Sequence, residues 1–242
     1  LRYLDMAAHT WPSRWRRGPV ASGARAGWMG AGLLLGALRR MAPTACSGGM
    51  PQLQRPPQPL RVFCDLDGVL ADFDAGVARL CGRPPRELNP RTLWRAVAND
   101  SDFWENLPVI PEGQKLWATL ADFDQRAQAE ELIARNSCSD ELLQPRLAVL
   151  TGLPTTAFRQ AAAQKRRWCA KHLGSHIQVI CCWKRDKAKY CGGPTDILID
   201  DNPEARSPWE AAGGLFVHHR GAGDLEATLV RLRALGVLDG GA

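Results

Sequence analysis

Between residues 60 and 235, short apolar runs of strand length recur, each cut off by a polar residue. They are Leu60–Asp65, Arg146–Thr151, Ile177–Cys182, Asp196–Asp201 and Gly214–His218. Runs of this length rich in Val, Ile, Leu and Phe predict buried strands. Helical patterns separate them at Pro111–Leu120, Thr155–Leu173, Pro203–Ala212 and Leu225–Leu235. Thr155 or Thr156 is placed to cap the longest helix and Gly174 to stop it. Alternating β and α elements predict an α/β fold, a Rossmann-like parallel sheet flanked by helices.

Two segments break the alternation. Residues 74–110 follow the first strand, carry helical pieces at Ala75–Cys81 and Thr92–Ala98, and close on Phe103, Trp104 and Pro108. They read as a small helical cap. Residues 122–145 combine a charged helical stretch with the polar run Asn136–Asp140 and read as a surface insertion. The predicted body is therefore 59–238, preceded by a disordered or targeting leader, 1–58, with no sustained period of either kind.

Charge separates leader from body. Residues 1–60 hold eight arginines against the single acid Asp5, a net +7; the whole chain is +6, so the other 182 residues sum to −1. That removes most of the case for a nucleic-acid surface on the body. An Arg-rich, acid-poor leader predicts a transit peptide to mitochondrion or chloroplast; without that role the expectation is cytoplasmic. Its most apolar stretch, Ala26–Leu38, spans 13 residues, too few for a comfortable membrane span. The eight cysteines lack the density of a disulfide scaffold, and several sit inside apolar runs, which predicts buried free thiols.

The candidate chemistry lies where the strands end. The first ends in Asp65-Leu-Asp67-Gly68, two carboxylates at the edge where open α/β sheets bind ligands. The second ends in Thr151-Gly152, a hydroxyl and a flexible backbone N–H that together can hold a phosphate oxygen. The fourth ends in Asp200-Asp201, and the cationic run Lys184–Lys189 precedes that strand. Each string has a bland reading as a turn, a cap or a solvated face. Their joint order on successive strand ends is much less expected by accident.

Asp65-Leu-Asp-Gly-Val-Leu70, Thr151, Lys187 and Ile199-Asp-Asp201, taken in that order, resemble the motifs of the haloacid dehalogenase-like phosphohydrolase superfamily. Asp65 through Phe73, Leu198 through Asp201, and Phe103 through Pro108 ahead of Pro111 look most like its 5′(3′)-deoxyribonucleotidases. The chain departs from them in a shorter cap, in Thr-Gly where they carry Thr-Ser, and in the extra 122–145.

The resemblance implies a phosphomonoesterase that forms an aspartyl-phosphate on Asp65, with Asp67 as general acid and base. It implies Mg²⁺ held by Asp65, the Asp67 main-chain carbonyl and one or both of Asp200 and Asp201. Thr151, Gly152 and Lys187 would hold the phosphate, with Lys184 and Lys189 as rivals for the lysine role. Lys165 reads as a residue on a helix face. Phe73, Phe103 and Trp104 are candidate contacts for a base, against a reading in which they pack the cap's own core; Trp94 leans to that packing reading. His218 and His219 read as structural or edge-of-site groups, and Trp168, Trp183 and Trp209 as packing residues.

The expected partner is a small phosphorylated substrate, a nucleoside monophosphate first. Alternatives are another phosphometabolite, a nucleic-acid end, or a non-catalytic scaffold of the same fold. Scaffolds of that kind usually lose an acid of the first motif, and both acids are present here.

Overall fold

A computed structural model describes residues 59–135 and 145–238. The predicted leader 1–58 and the run 136–144 lie outside them. Five strands form one sheet: β1 (Arg61–Cys64), β2 (Leu147–Leu153), β3 (Gln178–Trp183), β4 (Asp196–Asp200) and β5 (Leu215–His218). All neighbours are parallel, in the order β3-β2-β1-β4-β5. The helices are α1 (Phe73–Cys81), α2 (Pro90–Asn99), α3 (Pro111–Arg135), α4 (Phe158–His172), α5 (Arg206–Ala211) and α6 (Leu225–Ala234). The expected α/β architecture is present, with strand boundaries within about two residues of those read from the sequence.

β1 is central and buried on both faces, which is why its run is continuously apolar rather than alternating. Val62 and Cys64 join a core with Val149, Ile199 and Leu116. Phe63 points the other way and meets Trp209 of α5 edge-on, with ring centres 5.5 Å apart. At the opposite end of the strand, the Arg61 guanidinium grips the Asp196 carboxylate with two nitrogens, Nε lying 2.7 Å from Oδ1. Arg61 and Asp196 are register partners, so this buried pair fixes β1 against β4.

The chain leaves the sheet after β1 and returns by a neighbouring path. Asp72 N donates to Pro108 O (2.8 Å) and Ile110 N to Leu70 O (2.9 Å), so exit and return are stitched together. Between them lie α1, capped by Asp72 and stopped by Gly82 in the left-handed region, and α2, capped by Asn89. On return, α3 crowds the loop after β1. A Cβ on Gly113 would collide with the Val69 carbonyl, so glycine permits the close approach.

Two helices differ from expectation. α3 continues to Arg135, so residues 122–135 of the expected surface insertion are one helix with 111–121. Leu116, Leu120, Phe123 and Ala127 are buried at a spacing of four, three and four, which carries one apolar face across the presumed boundary. Asp124 and Glu131 then bond the Arg146 amide and guanidinium ahead of β2, at 2.7 and 3.0 Å. α4 begins at Phe158 after Ala157, whose φ is +52°, and neither Thr155 nor Thr156 caps it. Gly174, at φ +118°, does end it.

Candidate active site

Strand order sets the location. From β1 the sheet grows through β2 to β3 on one side, then resumes with β4 on the other, leaving a crevice between the carboxyl ends of β1 and β4. Asp65 and Asp200 stand there, and Asp65 N donates to Ile199 O (2.8 Å) across the gap. Asp65 Oδ1 accepts from Leu66 N (2.8 Å), and Asp200 Oδ1 accepts from Asn202 N (2.9 Å), so both carboxylates are aimed by local backbone. Oxygens of Asp65, Asp200 and Asp201 all lie within 4.8 Å of one another.

Gly68 lies in the turn that follows Asp67, its N–H donating to Ala71 O (2.9 Å). Its φ is +76°, and a Cβ there would land on the Asp201 carboxylate. Conformation and proximity both demand glycine.

One lysine of the cationic run enters the crevice. Lys187 Nζ lies 2.8 Å from Asp65 Oδ2 and 2.7 Å from Asp200 Oδ2, and the side chain is buried. Burial opposes its charge, but Asp65 and Asp200 outweigh burial and hold the ammonium above its ordinary range. Lys184 pairs instead with Glu204, and Lys189 with Asp186; both side chains are exposed.

Lys165 is the residue the sequence reading misplaced. It lies on α4 with no solvent exposure, not on an outer helix face. Its ammonium contacts Asp67 Oδ2, Thr151 Oγ1 (2.9 Å) and the Gly152 carbonyl (2.7 Å), and sits 4.3 Å from the centre of the Trp104 ring. A buried ammonium needs such a cage. The signal was available: Ala161, Lys165 and Trp168 share one helix face at a spacing of four and three, and its neighbours there are apolar. The adjoining Gln164 ties α4 to the cap by accepting from Trp104 N (2.8 Å).

Asp67 directs Oδ2 to Lys165, while its buried Oδ1 has no hydrogen-bond partner among the described residues. Burial lifts this carboxyl above the ordinary range, against the pull of Lys165. A carboxyl with one oxygen fixed and the other free can pass a proton to a group brought beside it.

The aromatics of the cap are mostly occupied with each other. Phe73 stacks on Trp104 at 5.5 Å, Phe103 meets Trp104 edge-on at 5.1 Å, and Phe103 and Trp104 are buried. The Phe103 and Trp104 rings lie against these neighbours, and Trp104 also against Lys165. Trp94, 5.8 Å from Phe73, is 40% exposed. Of the histidines, His218 Nε2 lies 3.0 Å from Asp201 O, and His219 is buried with Nδ1 3.0 Å from Thr228 Oγ1. Trp168 and Trp209 are fully buried, whereas Trp183 lines a cavity.

The donor set suits a hard divalent cation. Asp65, Asp200 and Asp201 offer carboxylate oxygens only. Loss of solvent, with Asp65 and Asp200 close by, pushes Asp201 up to about 7. Four site carboxylates face two site lysines, an imbalance that one divalent ion would cancel.

The resemblance to haloacid dehalogenase-like phosphohydrolases read from the sequence is met by similarity to known proteins. Among curated proteins, the chain is 26% identical over 162 residues to the human cytosolic 5′(3′)-deoxyribonucleotidase, covering 62% of this chain and 75% of that protein. It is also 26% identical over 158 residues to the mouse mitochondrial 5′(3′)-deoxyribonucleotidase, covering 60% of this chain and 66% of that one. Two solved structures are similar. One is a haloacid dehalogenase-like hydrolase from Streptococcus pneumoniae, with TM-score 0.41, 15% identity, and coverage of 72% of this chain and 90% of that one. The other is a hydrolase of the same family from Deinococcus radiodurans with bound phosphate and sodium, with TM-score 0.41, 12% identity, and coverage of 76% and 99%. The chain matches no family model. The similarity to the two deoxyribonucleotidases supports a phosphatase.

Proposed function

We propose that this chain is a Mg²⁺-dependent phosphomonoesterase that dephosphorylates nucleoside monophosphates. One observation carries the reading: Asp65, a buried carboxylate held by Lys187, stands two residues before Asp67, a carboxyl with one unpartnered oxygen. The first supplies a nucleophile and the second a proton.

In the proposed reaction, an Asp65 oxygen bonds to phosphorus as the ester P–O bond breaks. The leaving oxygen takes its proton from Asp67. A water then gives a proton back to Asp67 and attacks the aspartyl-phosphate, releasing inorganic phosphate and restoring both side chains. Thr151, Gly152 and Lys187 hold the non-bridging oxygens, while Lys165 positions Asp67 and Thr151. Asp65, the Asp67 carbonyl, Asp200 and Asp201 would hold Mg²⁺, which neutralises phosphate charge and orients the group. The raised protonation range of Asp67 agrees with its role as an acid.

The nucleoside assignment rests on the resemblance of motifs and on the two deoxyribonucleotidase relatives. In the same proposal residues 59–238 are the catalytic unit and 1–58 an organelle-targeting leader. Among the described residues, no helix is long and apolar enough to cross a membrane.

The test is a phosphate-release screen with Mg²⁺ across nucleoside 5′- and 3′-monophosphates and sugar phosphates. Turnover of nucleotides that is abolished by chelator and by Asp65→Asn is expected. Turnover of sugar phosphates alone would overturn the substrate, and activity in Asp65→Asn would overturn the nucleophile.

A further inference from the structure

The chain returns from the cap through residues 100–108, which form neither helix nor strand, yet Phe103, Trp104 and Leu107 are buried there. Buried irregular backbone needs hydrogen-bond partners from elsewhere. α4 supplies them from one stripe, at a spacing of four. Gln160 Nε2 donates to Ser101 O (3.2 Å), Gln164 Nε2 to the same oxygen (2.5 Å), and Trp168 Nε1 to Leu107 O (2.9 Å). Gln164 Oε1 also accepts from Trp104 N (2.8 Å), so both ends of one amide are spent on the returning arm. Gln164 is 1% exposed, whereas Gln160 lies at the surface.

The next residue along the helix reaches the catalytic acid. Lys165 spends its three N–H groups on Asp67 Oδ2, Thr151 Oγ1 and the Gly152 carbonyl. The Trp104 ring lies over the same ammonium, 4.3 Å away, in the geometry of a cation–π contact. Were that ring displaced, water would reach the ammonium and weaken its hold on Asp67. With Oδ2 held by Lys165, the unpartnered Oδ1 of Asp67 is the oxygen left to deliver a proton. Two adjacent residues of one helix thus fix the returning arm and the acid relative to each other.

Accepting the phosphatase reading, we propose that Gln164 is a positioning residue. By holding Ser101 and Trp104 it seats the Trp104 ring on Lys165, which keeps Asp67 aligned to protonate the leaving oxygen.

Leaving-group dependence tests this role. Phenyl phosphate and 4-nitrophenyl phosphate are similar in size, but phenolate is the poorer leaving group and needs more help from an acid. The full chain is assayed in Mg²⁺ for kcat/KM on both esters, with Asp67→Asn as the reference for a lost acid. Gln164→Leu keeps the bulk and loses both hydrogen bonds. It is expected to lose about tenfold more on phenyl phosphate than on 4-nitrophenyl phosphate, a fraction of what a general acid contributes. Gln160→Ala should leave the ratio of the two esters unchanged. Trp104→Leu should reproduce the Gln164→Leu pattern, and the double variant should be no worse than the worse single, because both act through one ring. Thermal midpoints show which variants are folded at the assay temperature. If Gln164→Leu is not, Trp104→Phe, which keeps the main-chain bond and narrows the ring, should shift the ratio the same way. Equal losses on both esters in folded variants, or no loss, overturn the proposal and leave the phosphatase reading standing. Failure of the wild type to hydrolyse either ester refutes that reading and the proposal with it.

Discussion

The ammonium of Lys165 bridges Asp67 Oδ2 and Thr151 Oγ1 with no access to solvent. It therefore links the first two strand-end motifs through a helix that carries neither. Removing it would leave the half-buried Asp67 without its cation, a loss smaller than the about 3–5 kcal/mol of a broken, fully buried pair. Lys165→Met is expected to lower the urea midpoint accordingly. Lys165→Met with Asp67→Asn should recover part of that loss, because no unpaired charge remains. Chemical denaturation of the four proteins in a double-mutant cycle measures the coupling. Additive effects would show that the two side chains do not act as a pair.

Lys187 and Lys189 lie two residues apart and face different surroundings. Lys187 is enclosed by Asp65 and Asp200, while Lys189 reaches only Asp186 at the surface. Lys187→Met is expected to cut kcat/KM by at least 100-fold, since it removes charge beside the proposed nucleophile Asp65 and the phosphate it would receive. Lys189→Ala should stay within about twofold, as exposed pairs contribute little. Steady-state kinetics on a generic aryl phosphate decides, and a severe loss in Lys189→Ala would reverse the assignment.

Gly68 couples backbone conformation to the acid cluster. Its Cβ would meet Asp201, so Gly68→Ala must displace a carboxylate of the group formed with Asp65 and Asp200. In the wild type, MgCl₂ is expected to raise the thermal midpoint above that in NaCl of equal ionic strength, because an ion bound only by the folded state stabilises it by mass action. Gly68→Ala should lower the midpoint without metal and lose most of the Mg²⁺-dependent rise. Differential scanning fluorimetry with and without chelator reads both effects. An equal Mg²⁺ response in the variant would detach Asp201 from metal binding.

Much of this arrangement was legible in the sequence because strand-end chemistry is local. Asp65, Asp200 and Asp201 follow apolar runs directly, so reading the run also places the acid. Lys187 was harder, since the segment 184–190 is a 3₁₀ turn that sends neighbouring lysines in different directions. Lys165 was read as a residue on a helix face, and its contact with Asp67 was not foreseen; it stands beside the exposed Arg166 and Arg167, and only every third or fourth position looks inward. The aromatics posed another difficulty. A string such as Phe103-Trp104 does not reveal whether its rings meet each other or a ligand, and that depends on Phe73 arriving from α1 and Lys165 from α4. The end of α3 was drawn too early because polar residues after Leu120 masked Phe123 and Ala127 on the same face.

The buried thiols set a limit at high pH. Burial, with Cys181 nearby, pushes Cys169 up to about 12, and burial does the same to Cys182. An unfolded cysteine ionises near 8.5, so these folded-state values are raised. The stability tied to keeping the thiols neutral is fully present below the unfolded value and is lost as pH climbs from there toward about 12. The urea midpoint should therefore fall between pH 9 and 10.5, and less steeply in Cys169→Ala. At pH 8 an alkylating reagent should modify Cys81 well before Cys169 and Cys182, because Cys81 is only partly covered. Peptide mapping by mass spectrometry after timed alkylation gives the order. Rapid labelling of Cys169 in the native protein would show that α4 opens far more readily than its packing around Lys165 and Trp168 allows.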